Sequence, residues 1–229
     1  MKALTKNLLT AACLVTAAFS LNACISNNGN DIDSTVVPLT PAEKTTQIHA
    51  MAGTYTGKAR LYTSPNGRLI KSDSAVVHFT VGTDSIITVK DFPVRLFALN
   101  AANGTVKTAL EKLTAEFTSD IRLYSQSNYI KNLYGGNAYF FILWPQKLGT
   151  GKPWMLSYPY THNDAAQTLT ATFVPGGASV GLNYNSLNLY YKPKKALQFF
   201  LIPKEIKLSD GTMFDNSQGR AFILVEGKK

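Results

Sequence analysis

The sequence predicts a mainly β fold, an antiparallel β-barrel or sandwich of about nine strands with one amphipathic helix over 105–117. Short runs rich in Val, Ile, Thr, Tyr and Phe recur after Met51, and turn residues separate each run from the next. Strands and helices do not alternate regularly, which argues against a doubly wound parallel sheet. Because no sharp change of composition follows Met51, one β-rich domain over 47–229 is the prediction.

Each predicted strand is a run of β-forming residues that ends at a turn. Val77, Phe79 and Val81 alternate on one face of the second strand, and the turn before it, 64–67, carries Pro, Asn and Gly. The nearly unbroken apolar run 138–144 predicts a strand that is buried on both faces. The predicted strands are 53–63, 68–81, 85–90, 138–144, 155–160, 167–174, 180–191, 196–202 and 220–225.

The helix is predicted from apolar residues at helical spacing. These residues are Val106, Ala109, Leu110, Leu113 and Phe117. Thr108 and Glu111 fit a capping box, in which each side chain accepts a hydrogen bond from the other residue's backbone N–H. The apolar face of this helix is expected to pack against the sheet.

The N-terminus has the features of an export signal. Lys2 and Lys6 precede an apolar stretch over 8–19, which is shorter than the ~20 residues of a membrane span. The segment Leu21-Asn22-Ala23-Cys24 resembles the lipobox of bacterial lipoproteins, although Asn22 is larger than the usual residue at its position. The alternative is an ordinary signal peptide with an incidental cysteine. We therefore expect a signal peptide over 1–23 and lipidation of Cys24. The lipid would attach the protein to the cell envelope, at the outer membrane. The sequence does not define which face of that membrane carries the protein.

Residues 24–46 are predicted to form a flexible, lipidated tether, because they are rich in Ser, Asn, Asp, Thr and Pro and contain few apolar residues. Cys13 is removed with the signal peptide, so Cys24 is the sole cysteine of the mature chain and no disulfide can form. Asp33-Ser34-Thr35 resembles the acceptor that Bacteroidetes use for periplasmic O-glycosylation, which makes Ser34 a candidate O-glycosylation site.

Three segments of the domain carry a family resemblance. They are 52–57 (AGTYTG), 85–94 (SIITVKDFPV) and 201–212 (LIPKEIKLSDGT). Together they resemble uncharacterised lipoproteins of gut Bacteroidetes that contain a domain of unknown function. The opening Gly-x-Tyr is also similar to the first strand of lipocalin-like barrels, but this chain lacks the tryptophan usual there. The resemblance implies no activity and no catalytic residue.

The motifs that could support catalysis fail on their context. Gly177-Ala178-Ser179-Val180-Gly181 fits the G-x-S-x-G nucleophile elbow, but a strand rather than a helix is predicted after it, and all three histidines precede Ser179. His78 is expected to point to solvent, opposite Val77 and Phe79. The aspartates lie beside predicted turns, and no metal-ligand spacing is present. The sequence therefore predicts no catalytic residue, no metal site and no cofactor.

Two groups of residues are candidate binding surfaces. The first is a basic patch around a late apolar strand, whose alternative interpretation is protection of that strand against aggregation. It consists of Lys192, Lys194, Lys195, Lys204 and Lys207. The second is an aromatic platform suited to sugar rings, whose alternative interpretation is a β core. It consists of Trp144, Trp154, Tyr158, Tyr160, Tyr190 and Tyr191.

The leading hypothesis is a non-enzymatic envelope lipoprotein whose β domain binds a glycan, a small apolar ligand, a lipid or a partner protein. One alternative is a hydrolase of envelope or dietary glycans, whose carboxylates would have to converge from distant loops. Another is a structural or accessory subunit of a surface complex. The formal charge of +9 falls by two when Lys2 and Lys6 leave with the signal peptide, but nucleic acid is not an expected partner of an exported, tethered protein.

Overall fold

The computed structural model describes residues 35–63, 70–98, 108–148, 155–173, 188–209, 211, 213–215 and 221–229. Cys24, Ser34, Trp154 and the Gly177–Gly181 motif lie outside the described residues. In the described part of the chain, no helix has the length and the apolar character needed to cross a membrane.

The described residues form twelve β-strands and two α-helices, and residues 108–110 are also helical. The strands are β1 (Gly53–Thr63), β2 (Ile70–Val81), β3 (Ile86–Pro93), β4 (Thr114–Tyr124), β5 (Ala138–Leu148), β6 (Met155–His162), β7 (Ala165–Phe173), β8 (Asn188–Tyr191), β9 (Ala196–Leu201), β10 (Pro203–Leu208), β11 (Met213–Asp215) and β12 (Ala221–Lys228). The helices are α1 (Pro41–Met51) and α2 (Asn128–Leu133), and 3-10 helices span Val94–Ala98 and Lys192–Lys194.

Eight strands form a closed antiparallel barrel, which confirms the predicted β class and decides for a barrel over a sandwich. The order around the barrel is β1-β2-β3-β4-β5-β8-β9-β12, and β12 pairs with β1 to close it. Barrel strands that follow one another in the sequence are therefore also neighbours in the barrel, as in an up-and-down barrel. The hairpins β6–β7 and β10–β11 are insertions in this path, and together they form a second sheet in the order β11-β10-β7-β6.

Strand alternation fills the barrel with apolar side chains. Along β1, Tyr55, Ala59 and Leu61 are buried, while the residues between them are more exposed. The Tyr55 ring stacks on Phe79 with ring centres 4.8 Å apart, and Phe79 meets Phe199 edge to face. The interior is thus occupied by the protein's own core, which also includes buried residues of the second sheet.

The second sheet lies at one end of the barrel, which we call the sheet end. At this end β5 leads into β6, β7 precedes β8, and β9 leads into β10. The 3-10 helix Val94–Ala98 joins the two sheets, because Phe97 stacks on Phe92 and meets Phe173 edge to face, with ring centres 5.1 and 5.4 Å apart.

The opposite end, which we call the helix end, carries α1, α2, the short connections 82–85 and 192–195, and the last residues, 228–229. Tyr55 donates a hydrogen bond from its hydroxyl to the Met51 carbonyl, and Lys229 Nζ donates to the Ala50 carbonyl at 2.7 Å. The Asn128 N–H donates to the Thr35 carbonyl at 3.0 Å, so the chain is already bound to the barrel end at Thr35.

The predicted helix over 105–117 is wrong in its second half. Residues 108–110 are helical, but 111–112 form a turn and β4 begins at Thr114. Buried Ala115 and Phe117 follow the alternation of this strand, which continues through Ser119 and Ile121. The apolar spacing fits both periods over this short stretch, and pairing of β4 with β3 and β5 favours the strand.

Residues 41–46, predicted as part of the tether, form the first half of α1. Thr40 and Glu43 make a complete capping box, and Pro41 occupies the first turn. Ile48 and Met51 then bury themselves at the helix end of the barrel. The helix starts where a cap is available, although its surroundings in the sequence are polar.

Candidate functional site

An open groove of about 540 Å³ crosses the outer face of the barrel. It lies over β8, β9, β12 and β1, close to the helix end. The described residues that line it are Thr56, Gly57, Lys58, Arg60, Leu189, Tyr191, Lys194, Ala196, Leu197, Gln198, Glu226, Gly227 and Lys228. Every second side chain of a strand points away from the core, so the outward side chains of neighbouring strands form a continuous row along this groove.

The floor of the groove is a pair of glycines. Gly57 on β1 is directly opposite Gly227 on β12. A Cβ at Gly57 would overlap the Glu226 carbonyl, and a Cβ at Gly227 would lie 2.6 Å from the Phe79 ring. Because glycine has no side chain, β1 and β12 can lie close to the stacked rings of Tyr55 and Phe79 inside the barrel. The outer surface is correspondingly lower at this pair, which forms the floor of the groove.

The walls of the groove are cationic. Lys58, Lys194 and Lys228 bring positive charge from β1, from the connection 192–195 and from β12. Arg60 forms an ion pair with Glu226, and the two side chains are 22% and 21% exposed. Because Arg60 and Glu226 neutralise each other, the three lysines leave the groove with a net positive charge.

Neutral polar and aromatic groups complete the lining. Tyr191 presents its ring from β8, and Lys194 Nζ lies 5.9 Å from the ring centre. Thr56 and Gln198 add a hydroxyl and an amide. This combination of hydrogen-bonding groups, cations and one ring can bind a polar ligand at several points.

The described members of the predicted aromatic platform do not lie on one surface. Tyr191 lines the groove, but its neighbour Tyr190 is buried inside the barrel with its ring stacked on Tyr139. Tyr158 and Tyr160 do share one face of β6, but both pack against the core. Trp144 lies on β5 beneath the Arg122 guanidinium, 3.8 Å from the ring centre.

The predicted basic patch is divided between two surfaces. Lys192, Lys194 and Lys195 connect β8 to β9, and Lys192 Nζ lies 5.3 Å from the centre of the Tyr139 ring. Lys204 and Lys207 are exposed on β10, in the second sheet. The chain turns away from the barrel after β9, so proximity in sequence does not become proximity in space.

Three cations of the groove, Lys58, Arg60 and Lys228, were not among the residues predicted to bind a ligand. Lys58 and Lys228 lie far apart in the sequence and come together because β1 pairs with β12. A usable signal was the alternation of small or apolar and charged residues in both terminal segments of the domain. The glycines at 57 and 227 were a second signal, because glycine inside a strand marks a close approach.

Two further ion pairs of described residues lie outside the groove. His78 points to solvent as predicted, and its Nδ1 lies 3.0 Å from Asp91 Oδ2 in an exposed pair. Arg95 pairs with Asp73, with Nε 3.1 Å from Oδ2. Among the residues that the structure describes, no group of three His, Cys, Asp or Glu side chains could hold a metal ion.

Comparison with known proteins gives a family but no activity. No match to the chain was found among curated proteins. One protein family matches residues 50–208, from the end of α1 to the end of β10, and therefore most of the barrel and the second sheet. The chain belongs to this family, which is described as a domain of unknown function, DUF4840.

Proposed function

We propose that this protein is a non-enzymatic lipoprotein of the bacterial outer membrane, anchored through Cys24, that binds a glycan in the groove on its barrel. We also propose that it belongs with lipoproteins of gut Bacteroidetes. The export signal and the lipobox-like segment 21–24 support the anchor. A bacterial lipoprotein cysteine normally carries several acyl chains, which gives stable attachment.

The groove is the observation that carries the binding proposal. Sugars offer hydroxyls to lysine, threonine and glutamine side chains, and their C–H faces pack on aromatic rings. Lys58, Gln198 and Tyr191 supply these groups from β1, β9 and β8, three of the four consecutive strands under the groove. Because the strands hold the groups on a closed barrel, little conformational freedom is lost when a ligand binds.

The interior of the barrel favours the outer groove over an internal ligand. Lipocalin-like barrels of eight strands can hold one small ligand inside. Here the stacked pair Tyr55–Phe79 and the edge-to-face contact of Phe79 with Phe199 lie in the interior. We propose that this barrel shares the architecture of lipocalin-like proteins but binds on its outer surface.

The carboxylates of the groove support a binding role more than hydrolysis. A glycoside hydrolase needs two carboxyl groups on either side of the scissile bond. Glu226 is the only carboxylate among the described lining residues, and Arg60 holds it in an ion pair. No second carboxyl group stands across from Glu226 among the described lining residues, so the pair of carboxyl groups that hydrolysis needs is not found there.

A glycan-binding experiment tests the proposal. The mature chain with Cys24→Ser would be applied to an array of bacterial and dietary glycans, and hits would be measured by calorimetry. Tyr191→Ala and Lys58→Ala should each weaken binding at least ten-fold, corresponding to about 1.4 kcal/mol. Lys207→Ala, an exposed lysine of the second sheet, is the matched control and should bind as the native chain does. A hit that is unaffected by both groove variants would remove the groove from the proposal.

A labelling experiment tests the anchor separately. Cells that express the full chain would be grown with a radiolabelled fatty acid, and the protein would be recovered from the membrane fraction. The native chain should carry the label and Cys24→Ser should not. Label on both chains, or on neither, would contradict lipidation at Cys24.

A further inference from the structure

The two ends of the barrel differ in charge. At the helix end, within 35–52, 82–85, 125–137, 192–195 and 228–229, the described side chains include many cations. They are Lys44, Lys131, Lys192, Lys194, Lys195, Lys228 and Lys229. The carboxylate side chains in these same described segments are Glu43 and Asp84. The helix end therefore carries a clear excess of positive charge.

Charges of the described side chains at the sheet end are nearly balanced. The cations, in 94–98, 108–113 and the second sheet, are Arg95, Lys112, Lys204 and Lys207. The described acidic side chains of the same segments, with the β6–β7 turn, are Glu111, Asp164 and Glu205. The excess charge of the described protein is thus a property of one end, and not a general feature of its surface.

The two acidic residues of the helix end are engaged in local contacts. Glu43 accepts hydrogen bonds from the Thr40 backbone and side chain, and these bonds lower the pKa of its carboxyl group. Asp84 accepts a hydrogen bond from the Ile86 N–H at 3.1 Å in the β2–β3 turn. Most lysines of this end remain exposed at the same time, including Lys44, Lys195 and Lys228.

The N-terminal chain joins the protein at this same end. Thr35 is bound to Asn128, and α1 is held to the barrel through Met51 and Ala50. Thr35 is the eleventh residue after Cys24 in the sequence. A fully extended chain covers at most ~3.6 Å per residue, so the lipidated cysteine would lie within ~40 Å of the helix end. Such a tether also keeps this end at a high effective concentration near the lipid surface.

We infer that the helix end is a membrane-facing surface that binds the phosphate groups of anionic phospholipids; this inference rests on the proposed anchor. Each lysine close to an anionic bilayer contributes attraction that decays within a Debye length, ~8 Å at physiological salt. The sheet end, whose described side chains carry little net charge, would then point away from the lipid. The groove, which opens close to the helix end, would face the space just above the headgroups.

Vesicle co-sedimentation tests this surface without the lipid anchor. The mature chain with Cys24→Ser would be mixed with vesicles of phosphatidylcholine alone or of phosphatidylcholine with phosphatidylglycerol. It should sediment with the anionic vesicles and not with the neutral ones, and added salt should release it. Equal binding to both kinds of vesicle, or binding to neither, would overturn the inference.

Two triple variants with equal charge change locate the surface. The test variant is Lys44→Glu with Lys131→Glu and Lys195→Glu, at the helix end but outside the groove lining. The control variant is Lys112→Glu with Lys204→Glu and Lys207→Glu, at the sheet end. The test variant should bind anionic vesicles roughly 100-fold more weakly, and the control should bind within a few-fold of the native chain. Equal losses in both variants would show a net-charge effect and contradict a dedicated surface.

Circular dichroism and thermal unfolding of both variants check their folds, and Lys→Gln versions of the same triples provide a milder test. Neither triple touches the groove, so glycan affinity should be unchanged in both. Loss of vesicle binding with intact glycan binding would therefore be attributable to the helix end alone. Vesicle binding by a chain that binds no glycan would leave this inference standing and remove the proposed function.

Discussion

The sheet end and the helix end of the barrel are built by different interactions. Phe92, Phe97 and Phe173 join the two sheets at the sheet end through buried aromatic contacts. At the helix end, α1 buries two side chains in the core, and the hydroxyl of Tyr55 and the ammonium group of Lys229 bind carbonyls of this helix. Large buried aromatic rings stabilise more than a few hydrogen bonds do. The comparison indicates that the contact at the sheet end contributes more to stability and that exposed charge is concentrated at the helix end.

The largest effect is expected when the sheet end loses its central ring. Phe97→Ala should lower the free energy of unfolding by about 4 kcal/mol, because Phe97 is fully buried and its removal leaves a cavity between the two sheets. Because both sheets share one core, unfolding should remain a single transition. Urea unfolding followed by fluorescence and circular dichroism measures both properties.

Leu133→Ala is the matched control at the helix end, since Leu133 is 48% exposed on α2. It should change the free energy of unfolding by less than about 0.5 kcal/mol. Two separate transitions in Phe97→Ala would show that the second sheet folds independently of the barrel. A small effect of Phe97→Ala would contradict the difference between the ends.

The next largest effect is expected at the floor of the groove. Gly227→Ala should cost about 3 kcal/mol, because the new methyl group would push the Phe79 ring away from Tyr55. Gly136→Ala is the control for backbone conformation. Gly136 has φ of +69° with nothing within 4 Å of a Cβ, so alanine there should cost only about 1 kcal/mol. Urea unfolding measures both losses of stability. Equal losses in the two variants would mean that a clash with the Phe79 ring is not the cause of the effect at Gly227.

The sequence allowed the β class to be predicted because alternation is a local property. The alternation of Val77, Phe79 and Val81 is one example, and the structure buries all three side chains. The start of strand β4 was predicted as a helix because Leu110, Leu113 and Phe117 fit helical spacing. The pairing of β4 with β3 and β5 distinguishes the strand from the helix. The closed barrel itself depends on which strands pair, and that information is not local.

The candidate site was harder to predict for the same reason. Lys194 was recognised because it lies in a dense run of lysines, but Lys58 and Lys228 are isolated in the sequence. The pairing of β1 with β12 brings Lys58 opposite Glu226, next to Lys228. Conversely, Lys204 is close to Lys194 in the sequence, but it lies in a different sheet. Binding surfaces made across strands are thus visible only after the topology is known.

Alkaline pH should weaken the helix end more than the sheet end. Burial raises the pKa of five tyrosines. They are Tyr55, Tyr62, Tyr124, Tyr134 and Tyr190. All except Tyr62 lie at or near the helix end. A tyrosine with a raised pKa in the folded state keeps its proton while the unfolded chain loses it, so its stabilising contribution is complete below about pH 10 and is lost above that value.

The melting temperature should therefore fall between about pH 9 and about pH 11. Tyr134→Phe removes one of these groups and retains the ring that meets Phe140 edge to face, with centres 5.6 Å apart. Its melting temperature should fall less over this range than that of the native chain, and a parallel fall would contradict the contribution of Tyr134. Lys229 acts in the opposite sense, because burial lowers the pKa of its ammonium group, but it is a single, largely exposed residue.

The smallest effect is expected for the hydrogen bond that holds α1 to the barrel. Tyr55→Phe retains the ring stacked on Phe79 but removes the hydroxyl that donates to the Met51 carbonyl, at a cost of about 1 kcal/mol. Hydrogen exchange should become faster in α1, which keeps its two buried side chains and the hydrogen bond from Lys229 to Ala50, and should change little at Phe97. Equal acceleration at both places would mean that α1 opens only when the whole barrel unfolds. The helix end would then be as tightly coupled to the core as the sheet end, although two buried side chains and a few hydrogen bonds join α1 to the barrel.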